Sequence, residues 1–152
     1  MPKPKRFMVY AAGSMLIALM ILLALGGALL PVWLKYYLSV LYARRPVHFN
    51  LLMAILFLAA LKGFFILLGG LQILISVSKE RAFVPVNYRR LRRVGWLSFG
   101  ISILFFLCAF VYLTPYTLVF IGAFALLGIL AMIAADLIQQ AIQIQEENDL
   151  TV

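Results

Sequence analysis

The chain has 152 residues, of which 66% are hydrophobic and only 12% are charged. A soluble domain of this size keeps too much surface in water to hide so much apolar area, so the composition excludes a water-soluble protein and predicts an all-α membrane protein. The formal net charge of +8 would suggest nucleic acid in a soluble protein. Here the basic residues lie between apolar runs, and we expect no direct nucleic-acid binding.

Four apolar runs are each long enough to cross a bilayer, whose hydrocarbon core of about 30 Å needs about 20 apolar residues. They predict one domain, 1–152, folded as a four-transmembrane-helix bundle. The expected spans are about 7–34, 51–77, 95–113 and 117–139, with a cytoplasmic basic connector at 78–94 and an acidic cytoplasmic tail at 145–152. The first run is too long for a signal peptide, so we expect a retained helix.

The segments between the runs differ in character. Residues 35–50 mix aromatic, aliphatic and basic residues, which favours a short helix in the outer interface that ends before Pro46. Aromatic residues at the headgroup level, such as Tyr42, agree with this arrangement. Residues 114–116 are so few that the third and fourth helices must form an antiparallel hairpin.

Small residues recur along the fourth run at spacings of three and four: Gly122, Ala125, Gly128, Ala131 and Ala135. Because small residues let helix backbones approach in lipid, the pattern predicts that the fourth helix is central to the bundle. The alternative is that these residues are simply common in membrane helices. Beyond the run, Leu137, Ala141 and Ile144 continue a helical period, which predicts an amphipathic extension into the cytoplasm.

Basic residues predict the orientation of the chain. With the N-terminus inside, nine Lys and Arg residues face the cytoplasm and three face outward, so the positive-inside rule places both termini in the cytoplasm. The nine are Lys3, Lys5, Arg6, Lys79, Arg81, Arg89, Arg90, Arg92 and Arg93, and the three are Lys35, Arg44 and Arg45.

Two segments of the chain, RAFVPVNYRRLRRVGW in the connector and AIQIQEENDLTV at the C-terminus, carry a family resemblance. The matching positions are Phe83, Asn87, Leu91, Gly95 and the run from Glu147 to Val152; the chain departs from the pattern at Val86 and Ala141. In these residues, and in length and span order, the chain resembles the DUF2975 family of small four-span bacterial membrane proteins. The resemblance implies a multi-pass protein of the bacterial cytoplasmic (inner) membrane without an established activity. Members are often encoded beside a small helix-turn-helix regulator of the Cro/CI type, which implies a membrane protein that binds or restrains a DNA-binding partner.

The connector and the tail supply the candidate contact residues. Asn87 suits the cap of a helix that runs into the third span, and Phe83 is expected to anchor the connector between helices. The arginines are expected to lie over anionic lipid headgroups, with an acidic partner or the chain's own tail (Glu146, Glu147, Asp149) as the alternative. The residues expected to contact a partner or lipid are Phe83, Arg89, Arg90, Arg92, Arg93, Asn148, Asp149, Leu150, Thr151 and Val152.

Two charges lie inside or beside the spans, Lys62 near mid-depth and Asp136 near the inner boundary. Such residues are costly in a membrane and suggest function by default, so they are the candidates for transport. The single His48 has no metal-ligand neighbours in sequence, and no serine stands with a base and an acid. We therefore expect no catalytic, cofactor-binding or metal-binding residue and no enzyme activity.

The preferred hypothesis is a non-enzymatic regulatory or scaffold protein whose connector and tail hold a small cytoplasmic partner, such as a helix-turn-helix regulator. Leu150, Thr151 and Val152 suit an extended backbone, so the tail is expected to bind as an added strand. The alternatives are a small oligomeric transporter or channel that uses Lys62 and Asp136, and a lipid-binding structural subunit. A homo-oligomer is compatible with the small-residue face of the fourth helix.

Overall fold

The computed structural model describes residues 3–41, 48–79 and 81–151. These residues form four α-helices and no strand: α1 (Lys3–Leu41), α2 (Phe49–Ser78), α3 (Pro85–Ala109) and α4 (Pro115–Leu150). Each helix is long and apolar enough to cross a membrane, which confirms the prediction of an all-α protein with four spans. The expectations for Tyr42, Arg44, Arg45, Pro46 and Val152 fall outside the described residues.

Two helices are longer than a bilayer requires. At 1.5 Å per residue, α1 extends for about 58 Å and α4 for about 54 Å, against a hydrocarbon core of about 30 Å. The expected interfacial helix at 35–50 was therefore wrong in its first part, because α1 continues without a break through Lys35 to Leu41. Pro31 lies inside α1 and does not end it.

Successive helices pack side by side and run antiparallel. Gly13 of α1 lies against Leu74 of α2 and Gly63 of α2 lies against Leu23 of α1, so the two helices run in opposite directions. One end of the molecule therefore carries the start of α1, the end of α4 and the α2–α3 connector, and we call it the terminal face. The other end carries the end of α1, the start of α2 and the α3–α4 turn, and we call it the hairpin face.

The helix that lies at the centre is α3. Its Cα atoms come within 8 Å of those of both α2 and α4, whereas those of α1 approach only α2 this closely, and no other helix pair does so in the described part of the chain. A larger share of α3 is buried than of any other helix. The expectation that α4 is central was therefore wrong. Gly128, Ala131 and Ala135 are buried, but they line a single interface with α3, and Gly122 has open space beside it.

Polar side chains explain why α3 takes the central place. Ser98 Oγ donates to the Val94 carbonyl at 2.8 Å, and Ser102 Oγ donates across the interface to the Ile121 carbonyl of α4 at 2.9 Å. Because lipid offers no hydrogen-bond partner, a helix with such groups is best placed between two others. The expectation that these serines bond to backbone was confirmed.

Hydrogen bonds fix the α3–α4 turn at the hairpin face. Thr114 caps α4 by accepting from the Thr117 backbone N–H at 3.2 Å, and the Thr117 hydroxyl accepts from the Thr114 N–H at 2.9 Å. Nearby, the His48 N–H donates to the Tyr112 hydroxyl at 2.8 Å, which joins the start of α2 to the end of α3. A small core of Leu34, Leu38, Leu52 and Cys108 lies beneath.

Candidate functional site

The α2–α3 connector at the terminal face is organised around one buried amide. Asn87 is 0% exposed, and its Nδ2 donates to the carbonyls of Arg81 and Ala82 at 3.1 and 3.0 Å. The expectation that Asn87 caps α3 was wrong. The capping residue is Val84 and the helix begins at Pro85, which suits the first turn because its missing N–H has no helical acceptor there. Asn87 instead holds the connector against the first turn.

Arg90 differs from the other arginines of α3 because its side chain is bonded to α2. Its Nη1 donates to the Gln72 carbonyl of α2 at 3.3 Å and to Asn87 Oδ1 at 3.2 Å. A guanidinium carries five N–H donors, so it can bond to two acceptors at once. Arg90 thus joins α2, α3 and the connector, and this bonding differs from the headgroup contact expected for it.

The remaining arginines of α3 are exposed. Arg89 and Arg93 lie one turn apart on the face that also carries Trp96, which is 61% exposed. Arg92 donates to the Tyr88 hydroxyl at 2.5 Å, and its guanidinium lies 5.8 Å from the centre of the Tyr88 ring. These three cations form a basic patch at the terminal face.

Phe83 does not anchor the connector between helices. Its side chain is 51% exposed, and the residue that holds the connector in place is Asn87. Val86, in the first turn of α3, is 50% exposed. The expectation for Phe83 was wrong because the amide bonds of Asn87 fix the connector backbone and leave the ring outside. Together Phe83 and Val86 give the basic patch an apolar border.

The C-terminal tail is a continuation of α4. Helix α4 runs through Leu150, and at its end the Thr151 hydroxyl donates to the carbonyls of Glu147 and Asn148 at 3.3 and 2.9 Å. The expectation of an extended tail that pairs as a strand was therefore wrong for this state of the chain. The helical period of the preceding residues carries on through Asn148, Asp149 and Leu150, and all of them are exposed.

The tail projects beyond the rest of the fold. A Cβ on Gly95 of α3 would lie 2.9 Å from Met132 of α4, so this pair fixes the register of the two antiparallel helices. From that pair, Pro85 at the start of α3 lies level with about residue 142 of α4. Residues 143–151 are all exposed and extend about 12 Å past that level.

The acidic residues of the tail make no ion pair with the basic patch within the described ranges. Glu146, Glu147 and Asp149 lie on the projecting part of α4, beyond the level at which α3 begins. An internal contact between tail and connector was one of the expected alternatives. The continuation of α4 as a helix past the start of α3 leaves both charged surfaces exposed.

Lys62 and Asp136, the two charges considered for transport, do not meet. A Cβ on Gly100 would lie 2.9 Å from Lys62 Nζ, which places the ammonium at the level of Gly100 on α3. Asp136 lies one turn beyond Met132, at the level of about residue 91, and is exposed. The axial separation is about 14 Å. The signal that sequence reasoning missed is Gly100, whose missing side chain makes room for the lysine.

Metal-binding geometry is not found in the described part of the chain, where no three His, Cys, Asp or Glu side chains come together. The free thiol of Cys108 is buried in the core near the hairpin face.

Four helices that can span a membrane, joined at the α2–α3 connector and the α3–α4 turn by hydrogen-bonded segments, define a multi-pass membrane protein. A family model described as "Protein of unknown function (DUF2975)" matches residues 7–152. The match covers nearly the whole chain, and the protein belongs to the DUF2975 family. No curated protein and no solved structure matches it.

Proposed function

We propose that this protein is a non-enzymatic membrane scaffold that holds a small soluble partner at its terminal face, in the bacterial cytoplasmic membrane with both termini in the cytoplasm. The partner class we favour is a small helix-turn-helix regulator, as the family resemblance implies. Membrane attachment would keep such a regulator away from DNA until it is released.

The orientation rests on the distribution of basic residues. The exposed cations Arg89, Arg92 and Arg93 lie at the terminal face, and Lys79 and Arg81 are in the connector of the same face. Positive residues are retained in the cytoplasm during insertion. With the terminal face in the cytoplasm, the basic patch contacts anionic lipid headgroups, at about 1 kcal/mol for each cation. This contact anchors the face and leaves the tail as its free element.

The projecting end of α4 is the observation that carries the proposal. Its last turns, residues 143–151, are exposed throughout and make no ion pair in the described fold, yet they carry both acidic side chains and exposed apolar ones. On the projecting part Ile144 and Leu150 are 58% and 86% exposed, and Leu137, which is 59% exposed, lies two turns before Ile144 on the same side of the helix. An amphipathic helix of this kind binds by placing its apolar side in a groove.

The partner that fits the tail presents an apolar groove bordered by basic residues. Glu146, Glu147 and Asp149 supply the complementary charge, which speeds association and selects against acidic partners. DNA-binding proteins carry basic surfaces for phosphate, so an acidic helix competes for the same kind of site. This mode replaces strand addition, because residues 146–150 are helical.

Hydroxyl groups on α3 give further support for a non-enzymatic role. Ser98 and Ser102 donate to backbone carbonyls and are buried between helices. A nucleophilic serine needs instead an adjacent base and access to substrate.

The proposal is tested by purification of the N-terminally tagged protein from native membranes in mild detergent. A chain truncated after Gln143 is compared with the full chain, and a control carries Arg89→Gln and Arg93→Gln. We expect a small helix-turn-helix protein in near-stoichiometric amount with the full chain and the control, and its loss with the truncated chain. Binding of the purified pair is then measured by titration, and it weakens as salt rises because the contact is charged.

Equal recovery with the truncated chain would contradict the role of the tail. Recovery of no soluble protein from membranes that contain the full chain would contradict the scaffold function itself. The comparison with the truncated chain requires that this chain inserts normally, which its four intact spans lead us to expect and which membrane fractionation checks.

A further inference from the structure

Among the basic residues of the described helices, Lys62 lies farthest from either end of its helix. It is separated from Phe49 and from Ser78, the two ends of α2, by about 20 and 24 Å. Its ammonium lies at the level of Gly100, two helical turns deeper than Arg93. A lysine at mid-depth has the longest path to the headgroups, so extension of its side chain does not bring the charge into water.

Gly100 of α3 leaves the space that the end of the Lys62 side chain occupies, and we call this space the seat of Lys62. An added Cβ on Gly100 would lie 2.9 Å from Lys62 Nζ, 3.5 Å from Cε and 3.7 Å from Cδ. The end of the lysine chain therefore rests directly on the α3 backbone, where any larger residue would displace it. Lys62 is partly buried there. The stem packs along the α2–α3 interface while the ammonium reaches the surface of the helix pair.

The ammonium opens onto an exposed strip of α3 with helical spacing. The strip consists of two rows of α3 residues, and within each row the residues are seven positions apart. Gly100 belongs to the first row, and the second row lies beside it. The rows are Val86, Arg93, Gly100 and Leu107, and Arg89, Trp96, Ile103 and Phe110. The large apolar members are between 50% and 76% exposed. Such a seven-residue repeat is the pattern by which one helix packs along another.

No group within the described chain accepts a hydrogen bond from the Lys62 ammonium or pairs with its charge. The whole sequence contains five acidic residues, Glu80, Asp136, Glu146, Glu147 and Asp149, and none lies within a described helix at the depth of Lys62. A second copy related by an axis along the membrane normal has its acids at the same depths, so it does not supply the missing carboxylate.

We propose that Lys62 is an intramembrane docking site for a transmembrane helix of a different protein, with an Asp or Glu at mid-depth. The partner helix lies along the α3 strip, its carboxylate meets the ammonium above Gly100, and Arg89 and Arg93 contact its acidic or headgroup-level end. In lipid a polar group gains from a fixed partner, since water is absent. This site is within the membrane and is independent of the tail-bound soluble partner.

The test uses full-length protein in phosphatidylcholine vesicles and synthetic probe helices. Each probe is a Leu/Ala peptide of about 20 apolar residues, long enough to cross the bilayer. One probe carries Glu at its centre and its matched partner carries Gln. Energy transfer between a donor on the N-terminus of the protein and an acceptor on the probe measures association at mildly alkaline pH. We expect the Glu probe to bind about tenfold more tightly than the Gln probe.

Variants of Lys62 and Gly100 test whether these residues cause the preference for the Glu probe. Lys62→Met is expected to abolish the difference between probes, whereas Lys62→Arg, which keeps the charge, retains it. Gly100→Leu fills the seat and is expected to reduce the preference with Lys62 still present, and Gly122→Leu on the open side of α4 is the matched control. Helical content and elution volume show that each variant is folded.

Two results would overturn the proposal. The first is an equal affinity of wild-type protein for both probes, or a Glu preference that persists in Lys62→Met. The second is displacement of the Glu probe by oleate together with Lys62-dependent binding of oleate alone. That outcome would assign the site to an anionic amphiphile.

Discussion

Replacement of Asn87 by Ala is expected to loosen the terminal face and to destabilise the whole fold. The change removes two hydrogen bonds to connector carbonyls and one from Arg90. A neutral hydrogen bond contributes about 1 kcal/mol and a charged one somewhat more, while the freed groups regain part of that energy from water. We therefore expect the free energy of unfolding to fall by about 2–3 kcal/mol.

The assay is unfolding in mixed micelles as the fraction of SDS rises, followed by the fluorescence of Trp33 and Trp96. Tryptic cleavage at Lys79 and Arg81 gives a local readout of the same change. Asn87→Asp keeps an acceptor for Arg90 but loses both donors, so its connector should be cut as readily as that of Asn87→Ala. Gln139→Ala on the exposed side of α4 is the control. An Asn87→Ala protein that unfolds at the wild-type SDS fraction and resists trypsin would refute the reasoning.

Two further predictions concern the α3–α4 pair. Gly128→Ala places a Cβ 3.0 Å from two ring carbons of Phe99, whereas Gly122→Ala meets nothing within 4 Å. Both changes alter helix propensity alike, so the difference between their free energies of unfolding in SDS measures the clash. We expect this difference to be about 1–3 kcal/mol, with Gly128→Ala the less stable protein. Equal stability of the two proteins would contradict close packing at Gly128. Thr114→Ala removes the acceptor that caps α4 and should cost about 1 kcal/mol, and Thr114→Ser should restore it. If the serine variant is no more stable than the alanine variant, the hydroxyl does not act as a cap.

The four helices were predictable because a bilayer imposes both length and apolar character on a span. The order of packing was harder to predict. The regular spacing of Gly128, Ala131 and Ala135 correctly indicated a helix interface. It did not indicate how many helices pack against α4. The better signal was the set of polar residues in α3, the least hydropathic of the four helices. A helix that carries Asn87, Ser98 and Ser102 is expected to avoid lipid.

The candidate site was predictable in composition and not in arrangement. The arginines of the connector were evident from sequence, but the inward turn of Arg90 depends on the Gln72 carbonyl, a group that no pattern marks. The seat of Lys62 at Gly100 depends on the register between α2 and α3. Such a register is set by the connector and by interhelical packing, and single-helix periodicity contains no information about it.

The close backbone approach of each helix to its chain neighbours has a consequence for biosynthesis. In the described chain, α2 finds its first contact on α1, α3 on α2, and α4 on α3, so each helix has its docking surface already in the bilayer when it leaves the ribosome. Contacts of this kind need no long loop closure and form quickly. Assembly can therefore keep pace with synthesis, and a chain stalled after α3 still carries two complete helix pairs.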